Sequence, residues 1–179
     1  EVAEAFDHLE QAGKVRHFGV SNQNPMMMEL LKTAVKQPLK VNQLQLSAAF
    51  TPSFEAGFHV NMEGPKAAVR DGSVFEYCRL TDTVIQAWSV LQHGYFKGNF
   101  VGKEEFAALN HVLNDLAKKY QVTPTAIALA WVLRYPGKMQ AVIGTTKPQH
   151  VLEAGKAATV TLTRKEWYQI YLAAGNDLP

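Results

Sequence analysis

"GKVRHFGVSN", Gly13 to Asn22, is the stretch on which the fold turns. Gly13 stands where a glycine caps the end of a helix. Basic residues follow, then a short apolar strand, then Ser21-Asn22. A buried strand that ends in two small polar side chains just before another helix predicts a ligand at its C-terminal end. Upstream, Val2, Ala5, Phe6, Leu9 and Ala12 recur at the spacing of one helix face. Downstream, Asn24-Pro25 starts a helix with Asn as N-cap and Pro at the first position. Its apolar face is expected to be Met27, Leu30, Leu31, Ala34 and Val35, with "KQP" ending it.

The same unit repeats along the chain. "KVNQLQLS" reads as a second strand, with Val41, Gln43, Gln45 and Ser47 on one side and Leu44 and Leu46 on the other. Phe50 to Asp71 is rich in Gly, Pro and Asn and reads as a long loop, a kind that inside a compact domain is usually functional or disordered. A short helix over Ser73 to Leu80 leads to a third strand, "DTVIQAWSVL", where Gln86 and Trp88 share a face opposite Ile85 and Ala87. Phe106, Leu109, Leu113, Leu116, Ala117 and Tyr120 mark a long amphipathic helix. "TPTAIALAWVLRY" is apolar almost all round and predicts a buried helix. "QAVIGTT" is the fourth strand, and Pro148 opens the helix after it. Thr163 to Glu166 is a capping box ahead of a helix with Trp167, Ile170, Tyr171 and Ala174 on one face.

Strand–helix alternation without a linker predicts a parallel sheet, either doubly wound or barrel. In both, ligands lie at the C-terminal ends of the strands. All four strands end in small or polar residues: Ser21-Asn22, Ser47, Ser89 and Gly144-Thr145-Thr146. Taken singly, each has a plainer explanation. Ser21-Asn22 is also a helix N-cap cluster, Gln43 and Gln45 are also buried polar residues, Trp88 is also core packing, and Gly144 to Lys147 is also an ordinary turn. The repetition favours a shared site.

Composition narrows the partners. The chain has 179 residues, 47% hydrophobic and 19% charged, enough for one domain with a sizeable core. A net charge of +2 without runs of like charge gives no case for a nucleic-acid partner. The longest apolar runs fall short of the roughly 20 residues that a membrane-spanning helix needs. Cys78 is the single cysteine, so no intrachain disulfide can form, which fits the reducing cytoplasm; in its helical setting the thiol is expected to be inert. The six histidines show no HxH or HxxxH spacing, so no metal site is expected. Met26 to Met28 reads as helix packing. The chain opens inside an amphipathic pattern, as if cut from something longer.

The segments "GKVRHFGVSN", "VNQLQLS", "VIQAWSVL", "TPTAIALAWVLRYPGKMQAVIGTTKPQHV" and "TLTRKEWYQIYLAAGNDLP" together resemble the aldo/keto reductases, in particular a bacterial branch. Their order matches the second half of that family's (β/α)8 TIM barrel, from the fourth helix onward. The resemblance implies an α/β fold in which residues 1–179 are the C-terminal portion of one barrel domain, carrying its last four strands. It implies NADP(H) across the barrel mouth. Ser21 and Asn22 match the pair that hydrogen-bonds the nicotinamide carboxamide, and Gln43 the glutamine that joins them. Trp88 matches the aromatic residue, usually tyrosine, on which the nicotinamide stacks. Ser89 and Leu91 fall where the family contacts the pyrophosphate. Gly144, Thr145, Thr146 and Lys147 match the loop that holds the adenosine phosphate end, and Glu153 an acid near the adenine.

Two departures accompany the match. His150 stands where the family commonly has an arginine for the 2′-phosphate, and a neutral imidazole is a weaker anion partner than a guanidinium. The family's catalytic Asp, Tyr, Lys and His belong to its N-terminal half, and none of their motifs occurs here; Tyr77, Tyr95, Tyr120 and His59 lie outside those motifs. A barrel of this kind typically needs about 250 residues, and half of one leaves open sheet edges. The expectation is therefore the C-terminal part of a longer oxidoreductase, inactive by itself, whose parent transfers a hydride to a small aldehyde or ketone that a tyrosine outside this chain protonates. Phe50 to Asp71 and His93 to Val101 would shape the substrate pocket. The alternative is a non-catalytic NADP(H)-binding regulatory subunit on the same fold; a phosphate-binding α/β module unrelated to the family is a third, less favoured by the order of the segments.

Overall fold

A computed structural model describes residues 1–52, 73–94 and 97–177. The loop expected over Phe50 to Asp71 therefore lies outside the described residues beyond Pro52, as do His59 and Tyr95.

The helices form where local signals place them. Helix α1 (Val2–Gln11) ends at Ala12, after which Gly13 takes φ +66° and its N–H donates to the Glu10 carbonyl at 2.9 Å. Strand β1 (Phe18–Ser21) leads to α2 (Pro25–Lys32), whose Asn24 cap accepts from the Met27 N–H at 2.9 Å. Strand β2 (Leu39–Gln45) is followed, after the undescribed residues, by α3 (Val74–Leu80) and β3 (Val84–Trp88). A 3-10 turn, Glu104–Phe106, precedes α4 (Ala107–Tyr120), and another, Lys156–Thr159, comes late in the chain. Thr123 caps α5 (Pro124–Leu133), in which every residue from Ala126 to Val132 is buried. Strand β4 (Met139–Ala141), α6 (Pro148–Gly155) and α7 (Arg164–Ala173) complete the chain.

The strands form a parallel sheet in the order β1-β2-β3-β4. Doubly wound sheets reverse direction at a switch point; strictly sequential order is how the staves of a barrel follow one another. The helices cover one face. Leu44, Leu46, Ile85 and Ala87 join α4, α5 and α7 in the main core, and Met28, Val35 and Leu39 form a smaller cluster with Phe6, Val20 and Leu31. Gly19 leaves no room beside β2: a Cβ there would lie 2.7 Å from both the Cβ and the carbonyl oxygen of Val41.

Helices α5 and α7 are joined by a reciprocal lock. The Trp131 and Trp167 rings stack at 4.8 Å, and each indole N–H donates to the other residue's backbone carbonyl, at 3.0 and 3.1 Å. Glu166 performs a second tie. Its carboxylate takes the Thr163 N–H at 2.7 Å and the Tyr120 hydroxyl at 2.8 Å, and forms an ion pair with Lys119. Burial by itself would raise this carboxyl, but the Lys119 ammonium, the Thr163 amide and hydroxyl and the Tyr120 phenol outweigh it and hold it down at about 2.

Three expectations are corrected. Met27 and Leu30 of α2 are exposed, and Met28 is the fully buried residue; α2 also ends at Lys32, so Ala34 and Val35 follow it. Three consecutive methionines leave the helix phase open, and the groove between α1 and the sheet selects the middle one. The fourth strand pairs only from Met139 to Ala141, because Val142 makes the last ladder bond, to the Ala87 carbonyl, before the chain swings away. Ser47 is fully buried, and its hydroxyl donates to the Gln92 carbonyl at 2.6 Å, so this strand end ties two loops together and offers no open polar group.

Candidate functional site

The sheet face opposite the described helices carries a register-matched polar row. Ser21, Gln43, Gln86 and Gln140 are successive partners across β1, β2, β3 and β4, so their side chains share one face. Gln43 Nε2 donates to Gln86 Oε1 at 3.2 Å, and Gln86 Nε2 donates to Gln140 Oε1 at 2.9 Å. Gln45 and Trp88 pair two residues further toward the C-terminal ends.

At those ends the backbone bends sharply. Asn22 and Ser89 both have left-handed backbones, φ +53° and +52°, which non-glycine residues rarely adopt. Such positions cluster where a fold stores strain at a binding site. Ser21 Oγ and the Asn22 N–H both donate to the Gln43 carbonyl, at 3.1 and 2.9 Å, which draws the ends of β1 and β2 together. Trp88 then spans the gap from β3, its Nε1 donating to Asn22 Oδ1 at 3.4 Å. Ser21, Asn22, Gln43 and Trp88 are thereby brought into one connected group.

A cavity of about 620 Å³ opens beside Trp88, between the ends of β3 and β4 and the start of α6. That size suits a small organic ligand. Trp88, Ser89, Leu91, Gly144, Thr145, His150 and Glu153 line it. Its floor comes from Thr125 and Leu129, one turn apart on α5, which the sequence did not single out because that helix is apolar on every side. Thr145 organises the rim: its Oγ1 accepts from the Lys147 N–H at 3.2 Å and lies 3.3 Å from His150 Nδ1. Glu153 accepts from Gln149 Nε2 at 3.0 Å. Lys147 and Thr146 are exposed and outside the lining. Lys147, the N-cap of α6, gives no side-chain cap, and Pro148 at the first position has no N–H to satisfy.

The chemistry of this set is specific. An indole face, two primary amides, a hydroxyl-bearing rim and an uncapped helix start fit a flat amide-bearing ring joined to phosphates. Among the described residues no group of His, Cys, Asp and Glu is placed to hold a metal ion, and no helix is long and apolar enough to cross a membrane. Cys78 is fully buried in α3, where burial pushes its thiol up to about 11 against an opposing hydrogen bond from Asn42; a thiol so placed is unreactive. Sequence periodicity missed Gln86 and Gln140 as a ladder, and also Asn42, fully buried with its Nδ2 donating to the Gln23 carbonyl at 2.8 Å. Tyr77 and Tyr120 are accounted for structurally, by Lys32 and Glu166.

The family model described as "Aldo/keto reductase family" matches residues 1–173. Oxidoreductase YdhF of Escherichia coli is 33% identical over 181 residues, which is 100% of this chain and 54% of YdhF. The 6-dehydroglucose reductase of Agrobacterium fabrum is also 33% identical, over 99% of this chain and 53% of its own length. The chain spans about half the length of the curated relatives it matches. Among solved structures, an aldo-keto reductase from Klebsiella pneumoniae in complex with NADPH superposes with a TM-score of 0.68 at 22% identity, over 93% of this chain and 51% of that one. The thermostable aldo-keto reductase Tm1743 gives 0.69 at 20% identity, over 97% and 54%. These likenesses agree with the sequential parallel sheet in a TIM-barrel fold. The chain belongs to the aldo/keto reductase family of oxidoreductases.

Proposed function

We propose that this chain is the cofactor-holding C-terminal part of an NADP(H)-dependent reductase of small aldehydes or ketones, acting in the cytoplasm. The observation that carries the proposal is the connected group Ser21, Asn22, Gln43 and Trp88, whose member Trp88 lines the same cavity as Thr145 and His150. Asn22 and Gln43 would bind the carboxamide, and Trp88 would support the ring. Ser89, Leu91 and Gly144 would flank the pyrophosphate. Thr145, Thr146, Lys147 and His150 would take the phosphate of the adenosine end, with Glu153 beside the adenine. When bound, the nicotinamide supplies a hydride. This chain's residues would orient the ring, and Val90, Leu91 and Ile143, which line the cavity, would keep water from one side of it. The proton donor is assigned to polypeptide preceding this chain, so residues 1–179 alone should bind cofactor and turn nothing over.

Two measurements test this. The complete polypeptide should consume NADPH with an aldehyde, and residues 1–179 should not; consumption by residues 1–179 would contradict the division of labour. His150→Arg should raise the preference for NADPH over NADH, because a guanidinium grips phosphate through charged hydrogen bonds worth about 1.5 kcal/mol or more, about tenfold in affinity. An unchanged ratio would remove His150 from the 2′-phosphate site.

A further inference from the structure

Resting on that cofactor reading, we infer that Asn110 of α4 is a positioning residue for the cavity: it touches no ligand, and it holds in place the wall that Asn99 and Val101 present. Residues 97–103 belong to no helix or named strand. Their buried backbone groups therefore need partners from elsewhere. Asn110, 8% exposed, supplies them at Phe100, Gly102 and Lys103. Its Oδ1 accepts from the Gly102 N–H at 2.7 Å. Its Nδ2 donates to the carbonyls of Phe100 and Lys103, both at 3.0 Å, and to that of Phe106 at 3.1 Å. Backbone partners fix the direction of this amide at both ends. An N–H can meet only the oxygen, and carbonyls can meet only the nitrogen.

The clamp sits where it bears on the cavity. Asn99 and Val101 both line it, whereas Asn110 is outside the lining. Between those two stands Phe100, fully buried, whose N–H donates to the Leu91 carbonyl at 3.0 Å. The Val101 N–H is taken by Asn99 Oδ1 at 2.8 Å, and Gly102 then turns the chain at φ +78°. The wall thus has two fastenings, Phe100 to the segment after β3 and Asn110 to α4. Without Asn110, the Gly102 N–H and the Phe100 and Lys103 carbonyls lose a buried partner. Leaving such groups unpaired is costly, and the turn recovers its hydrogen bonds by moving out to water. Val101 and Asn99 would move with it. A role confined to stability would instead lower the unfolding midpoint and leave the affinity of the folded protein as it was.

The test is a double-mutant cycle on the complete polypeptide, titrated with NADPH by calorimetry well below each variant's unfolding midpoint. Asn110→Ala should weaken binding by about fivefold or more. Val101→Ala should weaken it as well, by removing part of the wall directly. The double variant should bind no more weakly than Asn110→Ala, because a displaced wall has no Val101 contact left to lose. If Asn110→Ala does not fold, Asn110→Ser decides by the same cycle. Unchanged affinity in either folded single variant, or losses that simply add, overturns the inference. Failure of the parent to bind NADPH at all would instead refute the cofactor reading beneath it.

Discussion

At Gly19, hydrogen is the one side chain that fits. The site depends on β1 lying so close to β2 that Ser21 and Asn22 both reach the Gln43 carbonyl. Gly19→Ala would put a methyl 2.7 Å from the Val41 backbone oxygen. Overpacking of this kind costs typically about 1–3 kcal/mol. The expected outcome is a lower urea midpoint together with weaker NADPH binding, because the strands part just below the site. Unchanged stability would mean that β1 can shift without penalty. Single residues were legible in the sequence where their partners are local. Asn24 and Thr163 bond amides three residues away, and the sequence alone marks each as a cap. The Gln43–Gln86–Gln140 ladder was not legible, because its members are 43 and 54 residues apart and meet only through register.

Elements lock to one another mainly through two ties, and each makes a prediction. Trp131→Ala removes a stacked ring and one of two reciprocal hydrogen bonds. Loss of a buried tryptophan costs about 3–5 kcal/mol, visible as a fall in the thermal midpoint. The Glu166 tie adds an acid sensitivity. Its folded carboxyl titrates near 2 against an ordinary 4.5, so its contribution is complete above about pH 4.5 and disappears as pH falls toward 2. The size is about 3 kcal/mol by linkage. Urea unfolding of Glu166→Gln across that window should show a flatter loss than the parent; parallel curves would assign acid unfolding to other carboxylates. The apolar signature of α5 predicted its burial, since all of Ala126 to Val132 are enclosed. That same uniformity hid which of its faces, the one bearing Thr125 and Leu129, floors the cavity.

For the whole molecule, strand–helix alternation was enough to restrict the fold to a parallel sheet, and sequential strand order narrows it to a barrel-like arrangement. Among the polar strand ends, Ser47 is a loop tie. The central claim is that two distant pieces of sequence, the ends of β1–β3 and the start of α6, hold opposite ends of one dinucleotide. Calorimetric titration of the complete polypeptide with NADPH tests it through Asn22→Ala, Thr145→Ala and the double variant. Saturable binding of one NADPH per chain, weakened by each substitution and further by both, is the predicted result. Absence of saturable binding, or affinity indifferent to both substitutions, would contradict it.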